Sequence, residues 1–172
     1  MKFLEKSEDS KDFIRLKSDE TIVGLFRGDI YDFRQHWTNG KSEVCIGEGC
    51  QYCAEKKKPA FRFRINLILN EGGKYIPKIF EQGWTVYDAL RELHKEYDLE
   101  HTLVKITRKG TSMNDTSYTI IPAKAQLTAE QKKAVEKVEL LPLEHQSRTK
   151  SEKQEPAMAE AGEDDIGFGW SK

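Results

Sequence analysis

Hydrophobic residues along this chain recur mostly with a period of two. The clearest case is residues 60–69, where Phe61, Phe63, Ile65, Leu67 and Leu69 alternate with Arg62, Arg64 and Asn66. Successive side chains of a strand point to opposite faces, so this run predicts a half-buried strand with a basic outer face. Residues 21–33 form another apolar strand, and Gly24 and Gly28 inside it predict bulges or a sharp bend. Glu71-Gly72-Gly73 is a hairpin signal that leads into residues 75–81, where Pro77 predicts an edge or bulged strand. Residues 102–108 and 116–122 are β-branched strands joined by the Gly/Asn/Asp-rich loop 110–115. Helical spacing appears twice. Val86, Leu90, Leu93 and Tyr97 predict a helix with Thr85 as N-cap and Trp84 as a hydrophobic staple. Ala134, Val135 and Val138 predict a last helix over about 128–138, opened by a Thr128/Gln131 capping box and pinned down by Leu140, Leu141 and Leu143.

The element order is strand, long insertion, strand, strand, helix, strand, strand. That is the connectivity of an OB-fold: a mainly β, five-stranded barrel with a helix between its third and fourth strands. Such barrels bind single-stranded nucleic acids and oligosaccharides on the face of strands 2 and 3 and on the loops after strands 1 and 4. The basic face of 60–69 and the insertion at about 34–59 occupy those places. Residues 1–20 read as an N-terminal arm, 21–143 as the folded domain, and 144–172 as a disordered tail poor in apolar residues.

Composition sharpens this division. Charged residues make up 33% of the 172 positions, yet 10% are aromatic, which is too many for a wholly disordered chain. No apolar run reaches the roughly 18–20 residues of a membrane span, so no membrane role is expected. The start lacks the apolar core of a secretory signal, and a cytoplasmic location is expected. The net charge of −1 hides a gradient, because the segment 155–172 holds five acids against one Lys and carries −4, leaving +3 on the rest. A mildly basic body with an acidic tail fits an anionic partner better than the total suggests.

All three cysteines, Cys45, Cys50 and Cys53, fall in the insertion. An odd number in a cytosolic chain argues against a disulfide framework. Cys50-Gln51-Tyr52-Cys53 is a C-x-x-C knuckle that lets two thiolates reach one tetrahedral ion, Cys45 supplies a third ligand, and His36 is the only nearby imidazole. The spacing predicts a structural Zn2+ site of His36, Cys45, Cys50 and Cys53. Four protein ligands leave no position for a catalytic water. His36 is followed by Trp37-Thr38 rather than by x-Glu, and Gly49 rather than Pro precedes Cys50, so the deaminase pattern is absent. No Walker loop, nucleophile elbow or H-E-x-x-H is present either, and no enzymatic activity is expected. His94 and His101 read as ordinary surface residues.

Binding a single strand requires cations for phosphates and flat rings for bases. The chain interleaves them: Arg27, Tyr31, Phe33, Arg34 and Trp37; Lys56-Lys57-Lys58 leading to Arg62 and Arg64; Lys78, Phe80 and Trp84; and Arg108 with Lys109, Tyr118 following. Phe61 and Phe63 are expected in the core. Nothing resembles a base-reading helix, so little sequence specificity is expected.

The runs Val23-Gly24-Leu25-Phe26-Arg27-Gly28-Asp29 and Tyr31-Asp32-Phe33-Arg34-Gln35-His36-Trp37, the three cysteines, Phe61-Arg62-Phe63-Arg64 and Lys78-Ile79-Phe80-Glu81-Gln82-Gly83-Trp84 together resemble a known family over about residues 21–123. It is the zinc-containing OB-fold single-stranded DNA-binding, or helix-destabilising, proteins of tailed bacteriophages. The resemblance implies sequence-independent binding of single-stranded DNA in replication, recombination and repair. It also implies an acidic tail that recruits replication or recombination proteins. Asp164, Asp165, Ile166, Phe168 and Trp170 lie in a tip that resembles the acidic, Phe-containing end of bacterial single-strand-binding proteins, although Gly169-Trp170-Ser171-Lys172 follows the Phe here. Two alternatives stand beside this: an RNA-binding module on the same barrel, and a zinc-stabilised protein-interaction adaptor.

Overall fold

The computed structural model describes residues 9–144; the tail assigned to partner binding, with Asp164, Asp165, Ile166, Phe168 and Trp170, lies outside the described residues. The elements in order are α1 (Asp9–Asp12), β1 (Thr21–Thr38), β2 (Lys41–Val44), α2 (Gln51–Ala54), β3 (Ala60–Glu71), β4 (Lys74–Gly83), α3 (Trp84–Glu96), β5 (Val104–Lys109), β6 (Ser117–Pro122) and α4 (Ala129–Glu136). The fold is mainly β. Its antiparallel sheet runs β4-β3-β1-β5-β6, with β2 attached only to the far end of β1.

The 18-residue β1 serves three partners in turn. Thr21 to Gly24 pair with β5, Gly24 to Gln35 with β3, and Gln35 to Thr38 with β2. A bulge interrupts the β3 pairing. Between the Arg27–Asn66 and Tyr31–Arg64 pairs, β1 advances four residues while β3 advances two. Gly28 turns this corner at φ 77°, as its place inside a strand predicts. The two extra residues preserve parity, so Arg27, Tyr31 and Phe33 stay on the Arg62/Arg64 face of the sheet.

Phe26, Phe63, Leu67, Phe80, Leu90, Val104 and Ile106 build the inner core beneath α3. Phe63 is fully buried and Phe61 packs half-buried at its margin, as the alternation predicts. The outer face departs from expectation. Every residue of β3 from Phe63 to Ile68 is buried, so this strand is covered on both sides, not on one. Leu25 and Ile68 pack there against Val135 of α4, with Val138 and Leu140 beside them. α4 has the predicted capping box, in which Gln131 N donates to Thr128 Oγ1 at 3.2 Å and Thr128 N donates to Gln131 Oε1 at 2.9 Å. α3 instead starts at Trp84 with Gly83 as N-cap and no side-chain cap, two residues before the Thr85 N-cap that the sequence suggests.

Two further differences concern the sheet edges. Among the described residues no ladder joins β4 to β6, so the sheet is open by its hydrogen bonds where a five-stranded barrel was expected. Side chains bridge the gap: Phe80 and Tyr118 meet edge-on at 6.3 Å, and α3 packs against β3, β4 and β6. The N-terminal arm is also shorter than residues 1–20. Ile14 N donates to Ile79 O at 2.9 Å on the β4 edge, and Leu16 is buried in the core. The edge of β4 would offer unpaired backbone groups, and the chain's own N-terminal segment pairs with it at Ile79.

Arg64 holds the outer face together. Its Nε donates to Glu81 Oε2 at 2.7 Å and its Nη1 to Leu143 O at 3.0 Å, and its guanidinium lies 5.0 Å from the Phe13 ring and 5.1 Å from the Phe33 ring. Removing one member of a buried pair leaves an uncompensated charge, whereas replacing both with apolar groups is often neutral. Glu81→Ala is therefore expected to cost about 3–5 kcal/mol in urea unfolding, and Arg64→Met with Glu81→Leu to recover most of it. A loss below about 1 kcal/mol for Glu81→Ala would show that the pair behaves as an exposed one.

Candidate metal centre and nucleic-acid groove

β1 overshoots the main sheet and folds back on β2 through Asn39 and Gly40, both at positive φ, 50° and 78°. His36 sits on this overshoot opposite Glu43. Cys45 N donates to Arg34 O at 2.8 Å, which continues the pairing one step and fixes Cys45 beside His36. Gly47 and Gly49, at φ 78° and 79°, reverse the chain again. Cys50 then serves as the N-cap of α2, and one helical turn brings Cys53 to the same side.

The donor atoms of His36, Cys45, Cys50 and Cys53 all lie within 4.8 Å of one another. Cys45 Sγ and Cys53 Sγ are 3.6 Å apart, and His36 Nε2 lies 3.4 Å from Cys50 Sγ and 3.5 Å from Cys53 Sγ. Zinc bonds of about 2.3 Å to sulfur and about 2.0–2.1 Å to nitrogen place tetrahedral neighbours about 3.8 Å (S···S) and about 3.6 Å (N···S) apart. The three separations match those edges to within a few tenths of an ångström. His36 and Cys50 are buried, while Cys53 reaches the surface.

Protonation points the same way. The Cys53 backbone N–H bonds to the Cys50 sulfur and lowers its pKa to about 6. The neighbouring Cys45 thiol raises Cys53 to about 11. Cys50 and Cys53 are thus pushed in opposite directions, and a cation between the sulfurs would favour the thiolate of both. His36 Nδ1 is buried without a hydrogen-bond partner among the described residues, while Nε2 faces the sulfurs. The cluster could hold a metal ion, and its one-nitrogen, three-sulfur set is compatible with structural zinc.

The sequence-predicted nucleic-acid residues divide into two groups. The first is engaged in packing. The Arg27 guanidinium donates to Val135 O and ties down α4. Arg64 is buried in the network around Glu81. Lys78 Nζ donates to Lys11 O at 2.8 Å. Phe80, 1% exposed, is an inner-core residue and offers no ring face to a base, which corrects its assignment as a stacking residue. Phe33 is also buried, stacked on Tyr31 at 5.8 Å. Phe80 is carried into the core by its own strand parity; for the others, parity identifies a face of the sheet but not whether the chain itself covers that face.

The second group lies at the open end of the sheet. Arg62, Gly83, Trp84, Arg108, Met113 and Tyr118 line a cleft of about 390 Å³ between the end of β4 and the β5–β6 loop. Trp84 is 53% exposed, and its ring is propped by Phe61 at 5.2 Å and Tyr87 at 5.5 Å. Arg62 reaches Glu81 at 3.4 Å, and Arg108 donates to Leu16 O at 2.6 Å. Lys109 is exposed at the end of β5, and Arg34 and Trp37 are exposed on the β1 overshoot. Met113, 93% exposed, has no counterpart in the sequence analysis. Its only signal there is an apolar residue placed in a polar loop.

The metal centre makes a direct prediction. The purified protein should carry one zinc, and Cys45→Ser, Cys50→Ser and Cys53→Ser should each abolish stable retention after dialysis, measured by elemental analysis. Protons compete with the metal for these ligands, so affinity should fall as pH falls. Equal zinc content in the triple Cys→Ser variant would place the metal elsewhere. No protein-family model, curated protein or solved structure matches this chain, so the metal cluster and the cleft must carry the functional argument by themselves.

Proposed function

We propose that this chain is a non-enzymatic, sequence-independent single-stranded DNA-binding protein built on an OB-type barrel. The observation that carries this is the cleft in which an exposed Trp84 and half-buried Tyr118 meet the cations Arg62 and Arg108. Rings for bases and cations for phosphates are the two requirements for holding a single strand. The cleft touches the β5–β6 loop and the ends of β3 and β4, which are the ligand-binding parts of an OB barrel. Leaving aside β2, the strand order supports that fold, whose barrels are partly open.

The metal hairpin has a structural part in this proposal. Zinc would fix residues 34–59 beside the same end of β3, because Phe33 pairs with Arg62 and Gln35 with Ala60. Trp37, 69% exposed, shares the parity of Tyr31 and Phe33 and would extend the stacking surface from that side. Lys56, Lys57 and Lys58 lie exposed between the hairpin and β3 and would add phosphate contacts. Action in replication, recombination and repair, inside a host cell, and recruitment of partner enzymes by the acidic tail belong to the same proposal.

Titration with oligo-dT, followed by Trp fluorescence, tests it. Quenching should be strong with the single strand, weak with a duplex of equal length, and reduced by salt. Trp84→Ala should weaken binding by about 1–3 kcal/mol, the usual worth of one base–aromatic stack. Tighter binding to oligo-U would transfer the function to RNA. No response to any nucleic acid would leave a protein-interaction adaptor.

A further inference from the structure

The outer face of β3 is occupied by the chain itself in an unusual way. After α4, residues 138–143 cross the face as an extended segment that belongs to no strand. Its polar contacts with β3 go to side chains. Asn66 Nδ2 donates to Leu141 O and Leu141 N donates to Asn66 Oδ1, both at 3.0 Å, while Arg64 Nη1 donates to Leu143 O at 3.0 Å. Leu140 lies over the bulge, where a Cβ on Gly28 would come within 2.8 Å of its Cδ1. Releasing this segment breaks no ladder of the sheet.

The groups it covers are those that a nucleotide uses. An Asn amide presents one donor and one acceptor side by side, the pair that Asn uses to read a base edge. Thymine carries an adjacent N–H and C=O, as Leu141 does. Tyr31 and Phe33, stacked on each other, lie one register step away, and the Arg64 guanidinium rests over Phe33. Arg62, next along the same face, also lines the open cleft, so the two surfaces are continuous.

We propose that the face beneath residues 138–143 is a second, covered nucleotide-binding surface, read by Asn66 and Arg64, which a single strand enters by displacing the segment. This rests on the DNA-binding function proposed above and extends it along β3. The segment is a stand-in ligand: its backbone makes the hydrogen bonds that a base would make. Its contacts with β3 are hydrogen bonds and apolar packing, so its competition with DNA differs in kind from that of an acidic tail. Salt screens the tail but leaves the segment in place.

Hydrogen–deuterium exchange on the full-length, zinc-loaded protein tests this, with and without saturating oligo-dT. Exchange at residues 138–143 should accelerate when the oligonucleotide binds, while the amides of β3 stay protected. Unchanged or slower exchange there, in a sample whose Trp fluorescence shows binding, would overturn the covered surface and leave the open cleft standing. No binding at all would remove both. As a second measurement, Leu141→Pro removes the N–H that Asn66 accepts without deleting the segment. It should bind oligo-dT about fivefold or more tightly, because the closed form no longer reduces the competent fraction. The gain should persist at high salt. Unchanged affinity in a variant with an undiminished melting temperature would count against the proposal.

Discussion

A buried arginine organises the outer half of this molecule. Arg64 lies on β3, between β4 and β1, 4% exposed, with its charge met by Glu81 on β4. The Phe13 ring comes from the N-terminal segment, the Phe33 ring from β1, and the Leu143 carbonyl from beyond α4. Four separate stretches of chain thus converge on one guanidinium. A buried charge is tolerated only when it is paired and its donors are occupied. That requirement explains why the N-terminal segment docks on the β4 edge and why the chain after α4 turns across β3 rather than leaving into solvent.

With residues 138–143 lying over the outer face in this way, the open cleft is at the end of the sheet. There the β1 overshoot becomes the metal hairpin and the β5–β6 loop carries Met113. The hairpin has little apolar material of its own beyond Ile46 and Trp37, both exposed. A hairpin that small does not hold its shape by burial, and four metal ligands can replace the missing core. Trp84 lies opposite as the first residue of α3, and its ring is fixed by Phe61 and Tyr87 rather than by a ligand. A ring held at one edge and open on the other is prepared for stacking at little ordering cost.

The inner half of the fold was legible in the sequence because period-two alternation reports burial on one face. Phe61, Phe63, Ile65 and Leu67 fell where that pattern puts them, and Gly28 marked the bulge. The clustering of His36, Cys45, Cys50 and Cys53, which could hold a metal ion, was legible too, because ligand geometry demands close spacing along the chain. The outer face was not. Arg64 and Asn66 look like solvated positions in any linear pattern, and only the tertiary path of residues 138–143, some 75 residues further on, buries them. Phe80 was misassigned for a related reason: beside Lys78 and Trp84 it resembles part of a basic–aromatic surface, while strand parity carries it into the core. The Arg27 side chain was diverted in the same way, by a carbonyl of a helix that begins about a hundred residues later.

Ultraviolet cross-linking of the full-length protein to oligo-dT, with the modified residues located by mass spectrometry, asks where a single strand lies on this molecule. The rings that are accessible at the open end are Trp84, Tyr118 and Trp37, and adducts should concentrate there, with none at the buried Phe80. Adducts confined to the outer side of α3, or their complete absence at saturating oligonucleotide, would contradict a binding groove between the metal hairpin and the β5–β6 loop.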